Sequence, residues 1–273
     1  MTRTVRQASV WTAGAIVALA LAAGALAAPY VILPSGEKVE GTALRADKDG
    51  AIVLTTSSGQ MTFPKGTRAF VDPPGDYDKA VGFIQQRKFD DAITILERIA
   101  AQYRFLEWDV KARRLMGEAY LGKADYAGAI KNYEDLFRDA PDSRKDDDIS
   151  VGYVKALINK GEKDKLGRLI DPTIASGPRK AAAWAQVYRG QQRLAQGDVD
   201  TALSDFLRTA DLFQEVTDVQ PEAVYMTGVC LEKLGDKRAA DYYARVVKDY
   251  PDNPFAAKAK ARQAPTATAP AGP

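Results

Sequence analysis

Residues 117–141 read GEAYLGKADYAGAIKNYEDLFRDAP. The first seven, Gly117 to Lys123, satisfy most of the phosphate-binding pattern G-x-x-x-x-G-K-[ST], which would make the chain a nucleotide binder. Two features oppose that. Lys123 is followed by Ala124, where the pattern needs a hydroxyl for Mg²⁺. The apolar spacing also places Gly117 to Leu121 inside a helix, where the amides are already engaged. A phosphate loop begins a helix, whereas Gly122 and Lys123 end one. The glycines need another explanation.

Self-comparison supplies it. Take Gly117 as the small residue of a first helix, Tyr120 three later, Tyr126 after a turn, Ala129 in a second helix, Tyr133 four later and Pro141 as the stop. The same frame gives Ala80, Phe83, Phe89, Ala92 and Leu96 upstream. Downstream it gives Gly190, Gly197, Ala202 and Phe206, then Gly228, Leu231, Gly235, Ala240 and Pro251. A degenerate copy with Val154, Leu157, Gly161 and Leu166 lies between. The leading positions 80, 117, 154, 190 and 228 are spaced by 37, 37, 36 and 38 residues.

Small side chains at Gly117 and Ala129 let two antiparallel helices cross closely. Tyr120 and Tyr126 fill the space on either side, and Tyr133 covers the face that meets the next unit. Pro141 lacks an amide donor and disfavours helix before it, so the second helix stops. One unit leaves a face uncovered, so copies must stack. The predicted fold class is mainly α: a solenoid of antiparallel helix pairs over residues 76–262, in four to five repeats.

Working outward, residues 29–72 change character. Short β-branched runs alternate with turn signals at Pro34-Ser35-Gly36, Asp49-Gly50, Ser57-Ser58-Gly59 and Lys65-Gly66. Strands are predicted at Tyr30–Leu33, Lys38–Arg45, Ala51–Thr55, Gln60–Phe63 and Arg68–Val71, with a tight hairpin at Asp49-Gly50. Their rhythm resembles a small SH3-like or Sm-like antiparallel β-barrel. DPPGD, from Asp72 to Asp76, separates the two parts. Residues 263–273 are rich in Pro, Ala and Thr and too poor in apolar groups to fold, so a disordered tail is expected.

At the other end, MTRTVRQ carries Arg3 and Arg6 and no acid, an apolar run follows, and Ala25-Leu26-Ala27 is a small-x-small cleavage signal. Residues 1–27 therefore read as a secretory signal peptide, with an uncleaved membrane anchor as the alternative. The chain holds 38 Lys and Arg against 36 Asp and Glu. Without Arg3 and Arg6 it is formally neutral, and no basic face suggests a nucleic-acid partner. A membrane contact is expected only through the N-terminal segment, if it stays uncleaved.

Chemistry is scarce. There is no His and a single Cys, Cys230, which lies on an apolar helical stripe. That removes the commonest general base and the usual zinc sites, so no metal, cofactor or catalytic residue is assigned. The densest acidic cluster, Lys145-Asp146-Asp147-Asp148, suits a solvated helix start favoured by the macrodipole. Neither it nor Asp47-Lys48-Asp49-Gly50 has the spacing of a Ca²⁺ loop.

The repeat resembles the tetratricopeptide repeat family, most closely in LMGEAYLGKADYAGAIKNYEDLFRDAP and AQGDVDTALSDF and less so in RKFDDAITILERI. The resemblance covers roughly two-thirds of the chain. The period is longer than the family's, and Lys163 replaces the turn aromatic in the third copy. It implies a concave groove lined by the first helix of each unit, on which a peptide or protein partner would lie. Carried onto this frame, the groove positions are Lys111, Arg114 and Glu118, then Lys155 and Asn159, then Trp184, Val187 and Gln191, then Glu222 and Tyr225. Trp184 and Tyr225 are either exposed anchors or packing between units. Glu118 stands where the family's carboxylate clamp has Asn, so chaperone-tail binding is not implied. DYYARVVKDYPDNPFAAKAKARQ resembles the ends of periplasmic members that act with the Tol–Pal system or with outer-membrane barrel assembly. The expectation is an exported, non-catalytic scaffold of the cell envelope. The alternatives are a chaperone for a secreted, outer-membrane or pilus-like subunit, and a cell-wall hydrolase using carboxylates.

Overall fold

A computed structural model describes residues 28–263; the predicted signal peptide and most of the predicted tail lie outside them. The chain begins with strands β1 (Tyr30–Ile32), β2 (Lys38–Glu40), β3 (Ala43–Ala46), β4 (Ile52–Thr56), β5 (Gly59–Phe63) and β6 (Arg68–Phe70). They form two three-stranded antiparallel sheets, ordered β2-β1-β6 and β3-β4-β5. The predicted strand Lys38–Arg45 breaks at Gly41. There the chain crosses between sheets: the Gly41 amide donates to Pro29 and the next amide, Thr42, donates to Thr55. A Cβ at Gly41 would strike the Thr55 carbonyl and Leu54, so only glycine fits the corner. Val31, Ile52 and Leu54 make the small core, and Leu106 from the helical part completes it. Trp108 Nε1 donates to the Val71 carbonyl at 2.9 Å, tying the sheets to the first helices.

Eleven helices follow among the described residues. Five antiparallel pairs stack in order: α1 (Tyr77–Gln85) with α2 (Phe89–Gln102), α3 (Glu107–Gly122) with α4 (Tyr126–Asp139), α5 (Asp147–Lys160) with α6 (Lys163–Ser176), α7 (Arg179–Ala195) with α8 (Val199–Leu212), and α9 (Gln220–Lys233) with α10 (Ala239–Asp249). The last, α11 (Pro254–Gln263), packs on α10. The turn inside each pair holds one residue at positive φ: Arg87, Ala124, Gly161, Gly197 and Gly235. These five recur at the same intervals as the leading small positions. In units two and four the residue after the turn caps the second helix, with Asp125 accepting from the Gly128 amide and Asp198 from Thr201. Helix α3 runs through Gly122, so the stretch resembling a phosphate loop is helix followed by this turn.

The reason for Gly117 differs from expectation. A Cβ there would collide with the ring of Tyr133, and so would one at Gly152 of α5. The fully buried Tyr133 ring is thus clamped between glycines of its own unit and the next. Burying a ring of that size contributes about 1.5–3 kcal/mol. Gly190 receives Phe206, and Gly228 receives Tyr243, in the same way. Gly122 clears space for Phe89 of the preceding unit. Ala129 is fully buried but is not what Gly117 makes room for.

Unit three, α5 with α6, departs from this. Val154 and Leu166 take the two small positions, and α5 packs more extensively on α7 than on its own partner α6. Cys230 sits in the apolar core of the last units, where burial pushes its thiol up to about 11, far from a reactive value.

Candidate binding groove

The first helices α3, α5 and α7 are neighbours along one side of the stack, and their faces form a groove. A cavity of about 400 Å³ lies in it, lined by residues of α3, α4, α5 and α7 and by the 213–219 loop before α9. Val216 and Val219 anchor that loop in the core, which leaves Glu215, Thr217 and Asp218 at the cavity. The Tyr133 ring enters from α4 through the gap left by Gly117 and Gly152, and lines the floor. Burial pushes the Tyr133 hydroxyl far above its usual range, so it stays a neutral donor.

Charged side chains of both signs converge on this space. Arg114 Nη1 reaches Glu118 at 3.1 Å and Asp148 at 3.5 Å. Asp148 also accepts from Lys180 Nζ at 2.7 Å, and Asp147 accepts from the Lys180 amide at 2.7 Å. Asp218 accepts from Lys155 Nζ at 2.7 Å and from Trp184 Nε1 at 3.2 Å, while the Lys155 ammonium stands 4.3 Å over the Trp184 ring. Arg179 pairs with Glu215. The Lys180 ammonium holds the Asp148 carboxyl below its usual range. Burial pushes Glu118 the other way, upward, against the pull of Arg114. These pairs are partly exposed, and such pairs contribute about 0–1 kcal/mol each. Their charges are therefore available for exchange with a ligand.

Among the residues expected at the groove, Arg114, Glu118, Lys155 and Trp184 come together here. Lys111 lies at the end nearer the sheets, 4.2 Å over the Trp108 ring and 2.5 Å from Glu107. Asn159 is exposed and hydrogen-bonds the Lys155 carbonyl. Gln191 hydrogen-bonds Glu222 farther along, and burial raises the Glu222 carboxyl. Val187 is buried. Tyr225 is buried as well, between Tyr243 at 5.8 Å and Phe255 at 5.3 Å, so of its two expected roles it plays the packing one.

Asp148, Lys180, Asp218 and the Tyr133 hydroxyl were not assigned from the sequence. A signal existed for the first: Asp148 stands one repeat after Lys111 and one before Trp184, so the groove frame already contained it. Asp218 had none, because the loop that carries it lies outside the repeated pattern, and the frame reads Tyr133 only as a packing residue.

Three buried carboxylates elsewhere, Asp109, Asp139 and Asp205, are held by arginines, Asp139 by Arg113 at 3.1 Å. Asp109 accepts from Arg113 Nε at 2.6 Å, and Asp205 is bound by Arg189 at 2.7 Å and Arg193 at 2.8 Å. No cluster of side chains suited to a metal ion occurs among the described residues. Nor is any described helix long and apolar enough to cross a membrane.

No curated protein matches the sequence. Among solved structures, similar ones include a thermophilic tetratricopeptide repeat protein of Thermus thermophilus, 16% identical over 69% of this chain and 95% of that one, with a TM-score of 0.44. YrrB, described as a tetratricopeptide repeat protein with an unusual peptide-binding site, is 20% identical over 70% of this chain and 92% of its own, also at 0.44. The C-terminal part of a repeat-containing protein from Cytophaga hutchinsonii is 14% identical over 63% and 78%, at 0.29. The tetratricopeptide repeat family matches at residues 77–144 and again at 187–254, which are the first two and last two units of the stack. The chain therefore carries tetratricopeptide repeats, arranged in a helical solenoid behind two small antiparallel sheets.

Proposed function

We propose that the protein is a non-catalytic scaffold of the cell envelope that holds a segment of a partner protein in the groove of α3, α5 and α7. The observation that carries this is the convergence of Arg114, Lys155 and Lys180 with Glu118, Asp148 and Asp218 around one cavity. An extended peptide with charges of both signs can replace these weak internal pairs one for one. Trp184, half-buried beside Lys155, supplies an apolar surface for a peptide side chain. Export rests on residues 1–27, whose charged start, apolar run and Ala25-Leu26-Ala27 site have the layout of a cleaved leader.

The experiment is capture of partners from envelope extract by the full chain and by a Lys155→Glu/Trp184→Ala variant. Both side chains are partly exposed, so the variant is expected to fold while losing its partners. Recovery of the same partners by both proteins sinks the groove assignment. Incubation with purified cell wall separates scaffold from hydrolase: release of soluble products that disappears on Glu118→Gln or Asp148→Asn would replace the scaffold reading. Mass determination of the protein isolated from cells tests export, with loss of residues 1–27 as the expected result.

A further inference from the structure

Unit three holds a feature that the groove does not use. In the other four units the corresponding positions of the two helices hold buried small residues: Ala80 and Ala92, Gly117 and Ala129, Gly190 and Ala202, and Gly228 and Ala239, the last in place of the expected Ala240, which is exposed. In unit three those positions are Val154 and Leu166, both buried. With these larger side chains in place, α5 packs more extensively on α7 than on α6. What remains between α5 and α6 is an open slot of about 470 Å³. Its walls combine the apolar Phe137, Tyr153, Val154, Leu169 and Pro172 with the hydroxyl-bearing Ser150, Thr173 and Ser176.

The charges at the slot are of one sign. Arg144 and Lys145 line its mouth, and none of the described residues lining it is acidic. Lys145 is paired with Asp142 at 2.7 Å. Arg144 is exposed, stands 4.1 Å over the Phe137 ring and has no carboxylate partner among the described residues. The groove differs, because there cations and carboxylates already neutralise one another. A slot that offers apolar surface beside an unpaired guanidinium is complementary to an apolar group that carries a carboxylate beside it.

We propose that this slot is a second binding site, which takes a large apolar side chain of a partner peptide while an adjacent Asp or Glu of that peptide pairs with Arg144. The Phe137 ring then has the guanidinium over one face, and Tyr153 meets its edge at 5.2 Å, so the aromatic wall is already ordered before the ligand arrives. Tyr153 keeps its hydroxyl on Glu134 at 3.0 Å, which leaves its ring to the slot.

The test uses the full chain and a fluorescein-labelled Gly-Glu-Phe-Glu-Gly peptide, with binding read by fluorescence anisotropy. Saturable binding is expected, weakened at least about tenfold by Arg144→Glu and by Leu169→Trp, which fills the slot, and unchanged by Lys155→Glu in the groove. A peptide with Lys in place of Glu should bind at least about tenfold more weakly. Because Arg144 is exposed, its substitution leaves the core intact, and circular dichroism of each variant checks this. No saturation at millimolar peptide overturns the proposal, as does equal binding of the Lys peptide. Loss of binding in Lys155→Glu would place the peptide in the groove and overturn it too. Self-association of the chain that Arg144→Glu abolishes would assign the slot to a second copy instead.

Discussion

Units two and three sit side by side in the stack and share a turn geometry, yet only unit two lies within a stretch that matches the repeat family. Ala124 and Gly161 occupy the same left-handed position, and the helices on either side have similar lengths. The difference lies at the crossing. Unit two presents Gly117 and Ala129, with Tyr133 filling the gap that the glycine leaves; unit three presents Val154 and Leu166, with Ile170 one turn on. Period and turn are properties of the backbone, fixed by one residue's φ and the helix lengths around it. Crossing distance is a property of side-chain volume. The second can drift while the first holds, so the architecture outlasts the pattern by which it is recognised.

The largest effect should come from reversing the volumes at the crossing. Leu166 is 1% exposed, so the large residue of unit three is packed against real neighbours. Leu166→Ala should cost about 2–5 kcal/mol by leaving a cavity. Ala129→Leu, the mirror change in unit two, should cost about 1–3 kcal/mol by overpacking a fully buried site. Urea unfolding of both variants measures this. If Leu166→Ala were neutral or stabilising, unit three would have closed to the crossing of unit two, and the slot between α5 and α6 would be a consequence of that single side chain.

A smaller effect tests the half of the comparison said to be conserved. Ala124 has φ +60 and Gly161 φ +77, a region that costs a residue with a Cβ about 1–2 kcal/mol. Gly161→Ala should therefore destabilise by roughly 1 kcal/mol. Ala124→Gly should stabilise by less, under about 1 kcal/mol, because glycine also widens the unfolded ensemble. Thermal unfolding of the pair reads both signs. Equal and opposite shifts are not expected; a destabilising Ala124→Gly would mean that the two turns are not equivalent.

Much of this was legible from residues alone. The five leading small positions located every helix pair, including the degenerate one, because a recurring interval survives substitution at individual sites. The role of Gly117 was assigned to the wrong partner, since a glycine reports that something comes close without saying what does. Alternation runs unbroken through the sheet corner at Gly41, so the sequence alone reads Lys38–Arg45 as one strand. At the groove, Arg114, Glu118, Lys155 and Trp184 came from the resemblance to the repeat family, whose groove positions were carried onto the frame. Asp218 did not, because it comes from a loop whose placement depends on Val216 and Val219 entering the core. Tyr225 showed the limit of periodicity: groove and inter-unit positions share one helix face, and only the neighbours Tyr243 and Phe255 decide between them.

The smallest effect lies in the groove, where unit two contributes Glu118 and unit three Asp148. Burial raises the Glu118 carboxyl above its ordinary 4.5, whereas the Lys180 ammonium lowers Asp148 below its ordinary 3.8. The two therefore affect stability with opposite signs. What Glu118 contributes is present below pH 4.5 and is lost as pH rises through its raised value. What Asp148 contributes is present above pH 3.8 and is lost as pH falls through its lowered value. Both side chains are nearly half exposed, so each contribution is a few tenths of a kcal/mol at most. The order of protonation is the sharper quantity. On acidification Glu118 should take up its proton first, which frees Arg114 from one of its two carboxylates while Lys180 keeps Asp148. Carboxyl carbon shifts followed by NMR from pH 7 to 2.5 resolve the two residues. If Asp148 titrates first, Lys180 does not hold it in solution, and the charged link between the unit-three and unit-four walls of the groove is absent.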